Sequence, residues 1–285
     1  MSTKTKSKTA HNRVIYTIIY IILIFCAVLC VFPFFWMITT SFKSTAEAYS
    51  FPPTILPKRW LFSNFVNGLQ AADFGRFTVN TVLLVIVNTV ATVLSSAFVA
   101  YGFAKFPARG SKFWYTCVMA TMMLPGQVTL IPQYLLYYKF HMVDTYWPLI
   151  IPSILGGGAY NIFLYRQFFL SLPKELSEAA MIDGANSFQT FTHVMLPSVK
   201  PVSMCVGVMS LVWNWNDFYN PLIYINTTSK FTVSIGLQFL NSSMGTTKIG
   251  QMMAVALIMT IPVMVIFFIC QKYFVEGIKM SGIKG

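Results

Sequence analysis

The chain has 285 residues, 56% hydrophobic and 10% charged, with a mean hydropathy of +0.64 and a formal net charge of +12. Soluble domains carry about 25% charged residues, so this composition excludes an ordinary soluble enzyme or binding domain and indicates a membrane protein. The positive surplus does not indicate nucleic-acid binding, because the basic residues are scattered between apolar runs with no basic stripe or aromatic-interleaved patch; they read as Lys and Arg flanking membrane spans.

Residues 1–13, MSTKTKSKTAHNR, form a basic polar segment that reads as a disordered cytoplasmic tail. The apolar run that follows is too long for a signal-peptide core and has no small-x-small cleavage site after it, so it is an uncleaved first span. A helix needs about 20 apolar residues to cross a bilayer, and six windows qualify. They lie near residues 14–38, 79–103, 113–136, 147–169, 201–225 and 252–274. The five cysteines, Cys26, Cys30, Cys117, Cys205 and Cys270, all fall inside apolar runs without zinc-site spacing. Cys26 and Cys30 share a helix face and read as packing residues. Backbone polar groups in hydrocarbon must be satisfied within the segment, so the spans are helices. Pro125, Pro132, Pro152, Pro221 and Pro262 fall in or near helix interiors, where each removes a hydrogen bond and bends its helix. Kinked, glycine-bearing helices suit a translocation cavity and occur in static bundles as well.

The loops set the topology. With the N-terminus inside, thirteen of the 20 Lys and Arg fall in cytoplasmic segments and seven in external ones, the bias expected of inside loops. Both termini and residues 170–200 then face the cytoplasm. The expected organisation is a tail (1–13), a six-helix membrane domain (14–274) with an external loop at 39–78 and a cytoplasmic loop at 170–200, and a second tail (275–285).

That cytoplasmic loop is the most informative segment. Residues 175–197, ELSEAAMIDGANSFQTFTHVMLP, are too polar to be a span and lie between two of them. Pro173 suits the first position of a short helix. Glu175 and Glu178 favour its N-terminal dipole, and Ala179, Ala180, Met181 and Ile182 continue it. Gly184 is a natural terminator. Asn186 followed by Gln189 is a capping-box pattern that starts a second helix, ending near Pro197. Phe188 and Phe191, three apart, are expected on one face. Leu176, Ala179 and Ala180 are expected along one side of the first helix, with Asp183 further round. On pattern alone the hairpin is either a docking element for a partner or an interfacial hairpin that anchors the fourth and fifth spans.

Residues 178–197 resemble the Glu-Ala-Ala loop of binding-protein-dependent ABC importer permeases, in the pattern EAA-x3-G-x9-V-x-LP. The resemblance covers nearly the whole chain and is strongest to the second permease subunit of maltose-type sugar importers. Ser41-Phe42-Lys43 with Pro52-Pro53 and Asn64-Phe65 is similar to the first external loop of those proteins. Arg166-Gln167-Phe168-Phe169 ahead of Pro173-Lys174-Glu175-Leu176, Trp215-Asn216-Asp217-Phe218 ahead of Pro221-Leu222, and the tail Gln271–Gly277 ending Lys284-Gly285 are similar too. One departure is Met181, where the family usually carries a basic residue.

The resemblance implies a type I importer permease: six spans, both termini cytoplasmic and a cytoplasmic coupling helix-turn-helix. It implies that Glu175, Glu178, Ala179, Ala180, Asp183, Gly184, Ala185, Leu196 and Pro197 couple the subunit to a cytoplasmic ATPase. Implied partners are an ATPase dimer, a second homologous permease and an extracytoplasmic sugar-binding protein. Glu276, Gly277 and Lys279 in the tail either touch the ATPase pair, as the resemblance implies, or form a solvated end. No GxxxxGK[ST] run is present, so ATP and Mg are expected on the partner ATPase, and neither a cofactor nor a metal is expected on this chain.

Asp217 is the single acidic residue inside a predicted span, where a central charge costs about 2.5–3.5 kcal/mol unless it meets a partner or water. With Trp213, Asn214, Trp215 and Asn216 it forms a polar–aromatic cluster. Indole faces stack on the apolar faces of sugars, and amide and carboxylate groups bond hydroxyls. The cluster either lines a substrate pathway, or Asp217 sits near the outer end of the fifth span and supports packing. Other classes fare worse. His11, His141 and His193 are far apart and lie in no H-E-x-x-H context, so a membrane enzyme has no visible constellation. An ion-coupled carrier is the alternative function, but it would need intramembrane acids or broken helices near the midplane. A channel would need a selectivity-filter run, and none is present.

Overall fold

The computed structural model describes the backbone of residues 3–106, 108–242 and 248–282, and the side chains of 15–106, 108–238, 240 and 248–271. In chain order the helices are α1 (Thr3–Ser41), α2 (Thr45–Ala48), α3 (Ser63–Gln70), α4 (Phe74–Lys105), α5 (Ser111–Ala120), α6 (Gly126–Lys139), α7 (Trp147–Ile154), α8 (Ala159–Ser171), α9 (Glu175–Ile182), α10 (Ser187–Thr190), α11 (Leu196–Ser198), α12 (Lys200–Asn216), α13 (Tyr219–Tyr224), α14 (Val233–Ser242) and α15 (Ile249–Gly282). A π-helical turn, Phe191–Met195, joins α10 to α11. No strand occurs among the described residues, in line with the all-α expectation.

The span count differs from the six windows. Among the described residues four helices are long and apolar enough to cross a membrane: Ile15–Ser41, Phe74–Lys105, Trp147–Ser171 and Ile249–Gln271. A fifth crossing exists if Ser187–Ser198 and Lys200–Asn216, which meet at 80°, count as one. The window over 113–136, expected to be broken at Pro125 and Pro132, is two helices divided at Leu124–Pro125, with Pro132 inside the second. Leu124 is extended (φ −82°, ψ 120°) because Pro125 follows it, and neither α5 nor α6 is long enough alone. The fifth window is divided as well, by the extended Asp217 between α12 and α13. Pro33, Pro132, Pro152 and Pro262 all lie inside helices.

The chain divides into two compact units. In the first, residues 1–72 and 240–258, α1 exposes its apolar residues from Ile15 to Phe32. The turn after α1 is held by Asn64, whose side-chain amide donates to the carbonyls of Ser41 and Lys43, each at 2.9 Å. Lys43 is only 2% exposed; its ammonium sits 4.4 Å above the Trp36 ring and donates to the Thr54 carbonyl. Burial pushes this amine below its ordinary pKa, and the nearby Glu47 carboxylate opposes the shift. The Ser41-Phe42-Lys43 and Asn64-Phe65 segments singled out in the sequence therefore meet in one structural knot.

In the second unit, residues 73–239 and 259–285, α4 packs against α7, α8 and α12. Its buried stripe runs Thr81, Leu84, Val85, Asn88, Thr92, Ser96, Ala97, Ala100 and Tyr101, at helical spacing. The middle of the stripe is small, which lets neighbouring backbones approach where lipid supplies no hydrophobic drive for association. The Thr81 and Ser96 hydroxyls donate to carbonyls one turn back, so their polar groups cost little. Asn88 donates to Asn214 Oδ1 of α12 at 2.8 Å, and Ser95 donates to the Ser153 carbonyl of α7 at 2.6 Å. Gly157, between α7 and α8, sits at φ +62° against the α4 backbone, where a Cβ would stand 2.9 Å from Thr92 Cα and its carbonyl oxygen.

Gly157→Ala should therefore destabilise the protein by about 2–4 kcal/mol, from left-handed strain plus a clash with rigid backbone. Gly102→Ala, inside α4 and with nothing within 4 Å of the added Cβ, should be neutral or mildly stabilising. Thermal unfolding in detergent distinguishes the two.

Candidate functional site

The segment from Glu175 to Ser198 is a helical hairpin whose turn is built as the sequence predicts. Glu175 and Glu178 stand in the first turn of α9, and Pro173 lies two residues ahead of it rather than at its first position. Asp183 caps the helix, and Gly184 follows at φ +83°. The Gly184 N–H donates to the Met181 carbonyl and the Ala185 N–H to that of Ala180, a Schellman turn that consumes two end carbonyls. The capping box is complete: Gln189 N–H donates to Asn186 Oδ1 (2.9 Å), and Asn186 N–H donates to Gln189 Oε1 (2.8 Å).

The two halves of the hairpin have opposite exposures. Phe191 and Met195 are buried in an apolar core cluster with Ala97, Ala100 and Tyr101 of α4, Ile162, Tyr165 and Phe169 of α8, and Val202 and Val206 of α12. The Phe191 ring lies 5.2 Å from that of Tyr101 and 5.5 Å from Phe98. Phe188 is exposed, so the single aromatic face expected of Phe188 and Phe191 is a correction: a three-residue step is 60° short of a turn, and that rotation takes one ring inward and the other out. Ala180 is likewise buried, whereas Leu176 and Ala179 face out. Leu176, Ile182 (85% exposed) and Phe188 are exposed apolar side chains, and Glu175 and Asp183 are exposed as well, whereas Met181 and Glu178, also exposed, line a cavity on the other side of α9. Leu196 is half-buried and Pro197 exposed as the hairpin turns into α12.

About 8–14 Å away along α4, at 1.5 Å per residue, lies a cavity of about 640 Å³. It takes in Thr92, Gln133, Tyr137, Asn161, Ser210, Trp213, Asn214, Asp217, Asn220 and Tyr224. Of the five residues grouped by sequence, Trp213, Asn214 and Asp217 line it. The Trp213 indole is 74% exposed. Trp215 points elsewhere: it is buried and its Nε1–H donates to the Met259 carbonyl, a packing role. Asn216 bonds back to the Val212 carbonyl outside the cavity lining. Asp217 is not a mid-helix charge, because α12 ends at it and its carboxylate accepts from the Asn220 N–H and side-chain amide. Glu276, Gly277 and Lys279 lie on α15 but outside the residues whose side chains are described.

Sequence reasoning passed over several residues. Asn88 is an amide deep in an apolar window, a signal that intramembrane polarity marks function or packing. Gln133 and Tyr137 come from α6 and Asn161 from α8, and they carry no motif. Asp144 lies in a loop and carries no motif. It adopts φ +61° and its carboxylate accepts from the N–H groups of Asn226 and Thr227 (both 2.9 Å), the Thr227 hydroxyl (2.6 Å) and the Lys230 ammonium (3.0 Å). These bonds, those of Thr227 first, hold the carboxyl far below the usual carboxylate range.

The arrangement is that of a multi-pass membrane transport subunit: kinked helices around a polar cavity, with a helical hairpin rooted among them. The chain belongs to the family of binding-protein-dependent transport system inner membrane components, whose model matches residues 93–280. It is 31% identical over 269 residues, 94% of this chain and 89% of the relative, to the probable ABC transporter permease protein YurM of Bacillus subtilis. It is 30% identical over 278 residues, 96% of each chain, to the arabinooligosaccharides transport system permease protein AraQ of the same organism. A subunit of a bacterial ABC transporter involved in import of the acidic polysaccharide alginate shares the fold, with a TM-score of 0.83, 21% identity and coverage of 93% of this chain and 98% of that one.

Because its folded pKa is depressed below 3.8, Asp144 contributes stability that is complete above the unfolded value and lost as pH falls through the folded one. Asp144→Asn should weaken the joint between the 141–146 and 225–230 segments by about 1–3 kcal/mol at neutral pH, with a smaller loss below pH about 3. Hydrogen exchange at the Asn226 and Thr227 amides, compared across pH, measures this.

Proposed function

We propose that this chain is a permease subunit of an ATP-driven importer that moves a sugar or oligosaccharide into the cell. The pathway forms with a second, homologous permease; an extracytoplasmic binding protein delivers the sugar, and cytoplasmic ATPases, which bind ATP and Mg, dock on the hairpin of α9–α11. The observation that carries the reading is the split exposure of that hairpin: exposed apolar side chains at Leu176, Ile182 and Phe188, free for a partner, on a base embedded in the helices that surround the cavity. An anchoring hairpin would need the second property and not the first. The orientation follows from the distribution of Lys and Arg. The ATPase shifts the permease only through contacts that differ between its own states, and Gly184 with its Schellman turn keeps the outer helix rigid enough to transmit them.

The sugar reading rests on the cavity and on the names of relatives such as AraQ. Amides of Gln133, Asn161, Asn214 and Asn220 supply donors and acceptors for hydroxyls, and the Trp213, Tyr137 and Tyr224 rings supply faces for stacking. Trp215 and Asn216 are not assigned to the pathway.

Ile182→Asp should leave thermal stability unchanged, since the side chain is exposed. It should cost about 2 kcal/mol or more of docking energy, roughly thirtyfold in affinity. Pull-down of the cognate ATPase and ATP-driven uptake in vesicles should fall together; full uptake in this variant would refute the docking role. Trp213→Ala should reduce sugar uptake about two- to tenfold at limiting substrate, as loss of one stacking face implies, while ATPase binding persists. Trp213→Phe should recover most of it.

A further inference from the structure

The second unit contains a larger cavity that the transport reading does not use. Its volume is about 1100 Å³, and it lies between the C-terminal ends of α4 and α8, the start of α5 and the inner side of α9. Five cationic side chains line it, Lys105, Arg109, Lys112, Arg166 and Lys174, against one carboxylate, Glu178. None of the five is in an ion pair; the sole ion pair among the described residues is Lys230 with Asp144. Arg166 is the informative member. It sits five residues before the end of an apolar span, where a charge is expensive and marks function. Its guanidinium stacks 4.2 Å over the Tyr115 ring, and its buried Nε–H has no hydrogen-bond partner. A guanidinium held by ring stacking at the wall of a cavity lined by four further unpaired cations is a phosphate-binding arrangement.

The setting favours a lipid as the source of that phosphate. The cavity is level with the ends of the helices, and Phe106, Phe113 and Trp114 are exposed beside it, as aromatic residues are at a membrane–water boundary. Basic pockets between helices on the cytoplasmic side suit anionic headgroups. A protein carboxylate would fill little of such a volume. We propose that this cavity binds the phosphate headgroup of an anionic phospholipid from the cytoplasmic leaflet, wedged between the α4–α5 turn and the inner side of the coupling hairpin. The cytoplasmic placement rests on the function proposed above; the chemistry of the cavity does not.

Native mass spectrometry of the purified full chain in detergent tests it, with phosphatidylglycerol or cardiolipin added and phosphatidylcholine as the neutral control. Anionic lipid should remain bound at activation energies that strip phosphatidylcholine. Each cation removed should weaken retention roughly fivefold, so Arg166→Gln with Lys174→Gln should lower it about thirtyfold. If that variant does not fold, Arg109→Gln with Lys112→Gln, both exposed, serves in its place, and Lys174→Arg should retain the lipid. Equal retention in the wild type and either double variant would overturn the proposal. Displacement by millimolar inorganic phosphate would overturn the lipid source. Unchanged lipid retention with loss of the cognate ATPase in pull-down would assign the cations to a protein partner and overturn it too. Lipid retention is read without ATP or sugar, so it stands or falls separately from the transport reading; protease access to the hairpin in sealed vesicles reports on sidedness alone.

Discussion

The apolar joint formed by Phe191 and Met195 with Tyr101, Tyr165, Phe169 and Val206 is what the rest of the second unit depends on. In a bilayer, helices gain nothing from hiding apolar surface that lipid would cover equally well. Cohesion must come from close packing and hydrogen bonds. The joint supplies the packing at one end of α4, and the Asn88–Asn214 and Ser95–Ser153 hydrogen bonds supply the bonding further along. The same joint makes a polar surface hairpin part of the helical body. Without it the exposed outer helix would be a loose appendage, unable to deliver force or position to anything.

Much of this was legible in the chain because it depends on local chemistry. The Gly184 terminator, the Asn186–Gln189 capping box and the acidic first turn of α9 are set by residues within four positions of each other, and the sequence names them. What could not be read required knowing rotation or register. Phe188 and Phe191 stand only 60° apart on the helical wheel, and which of them turns inward is set by how the hairpin seats against α4 and α8, which spacing alone does not give. The windows near 113–136 and 201–225 looked like spans because hydropathy sums composition. It is blind to the extended residues at Leu124 and Asp217 that interrupt them.

The cavity lined by Trp213 shows the same limit in a different form. Trp213, Asn214 and Asp217 were grouped by adjacency, and Trp215 and Asn216 came with them for the same reason. On a helix, residues two and three apart diverge by 160° to 60°. Trp215 accordingly serves the packing of α12 against α15 rather than the cavity. The other cavity groups are brought in by tertiary structure: Gln133 and Tyr137, one turn apart on α6, and Asn161 on α8, remote in the chain from Trp213.

The 80° bend between the hairpin and α12 has a mechanical corollary. Two collinear helices pass a push lengthwise, so the far one slides. A right-angled pair behaves as a crank: tilting the short arm swings the long one sideways. α12 has 17 residues, about 25 Å of rigid arm, with Val199 buried at its pivot and Trp213 near its tip. A rotation of about 10° at the pivot would carry that tip about 4 Å across the cavity mouth, a stroke comparable to the width of a sugar ring.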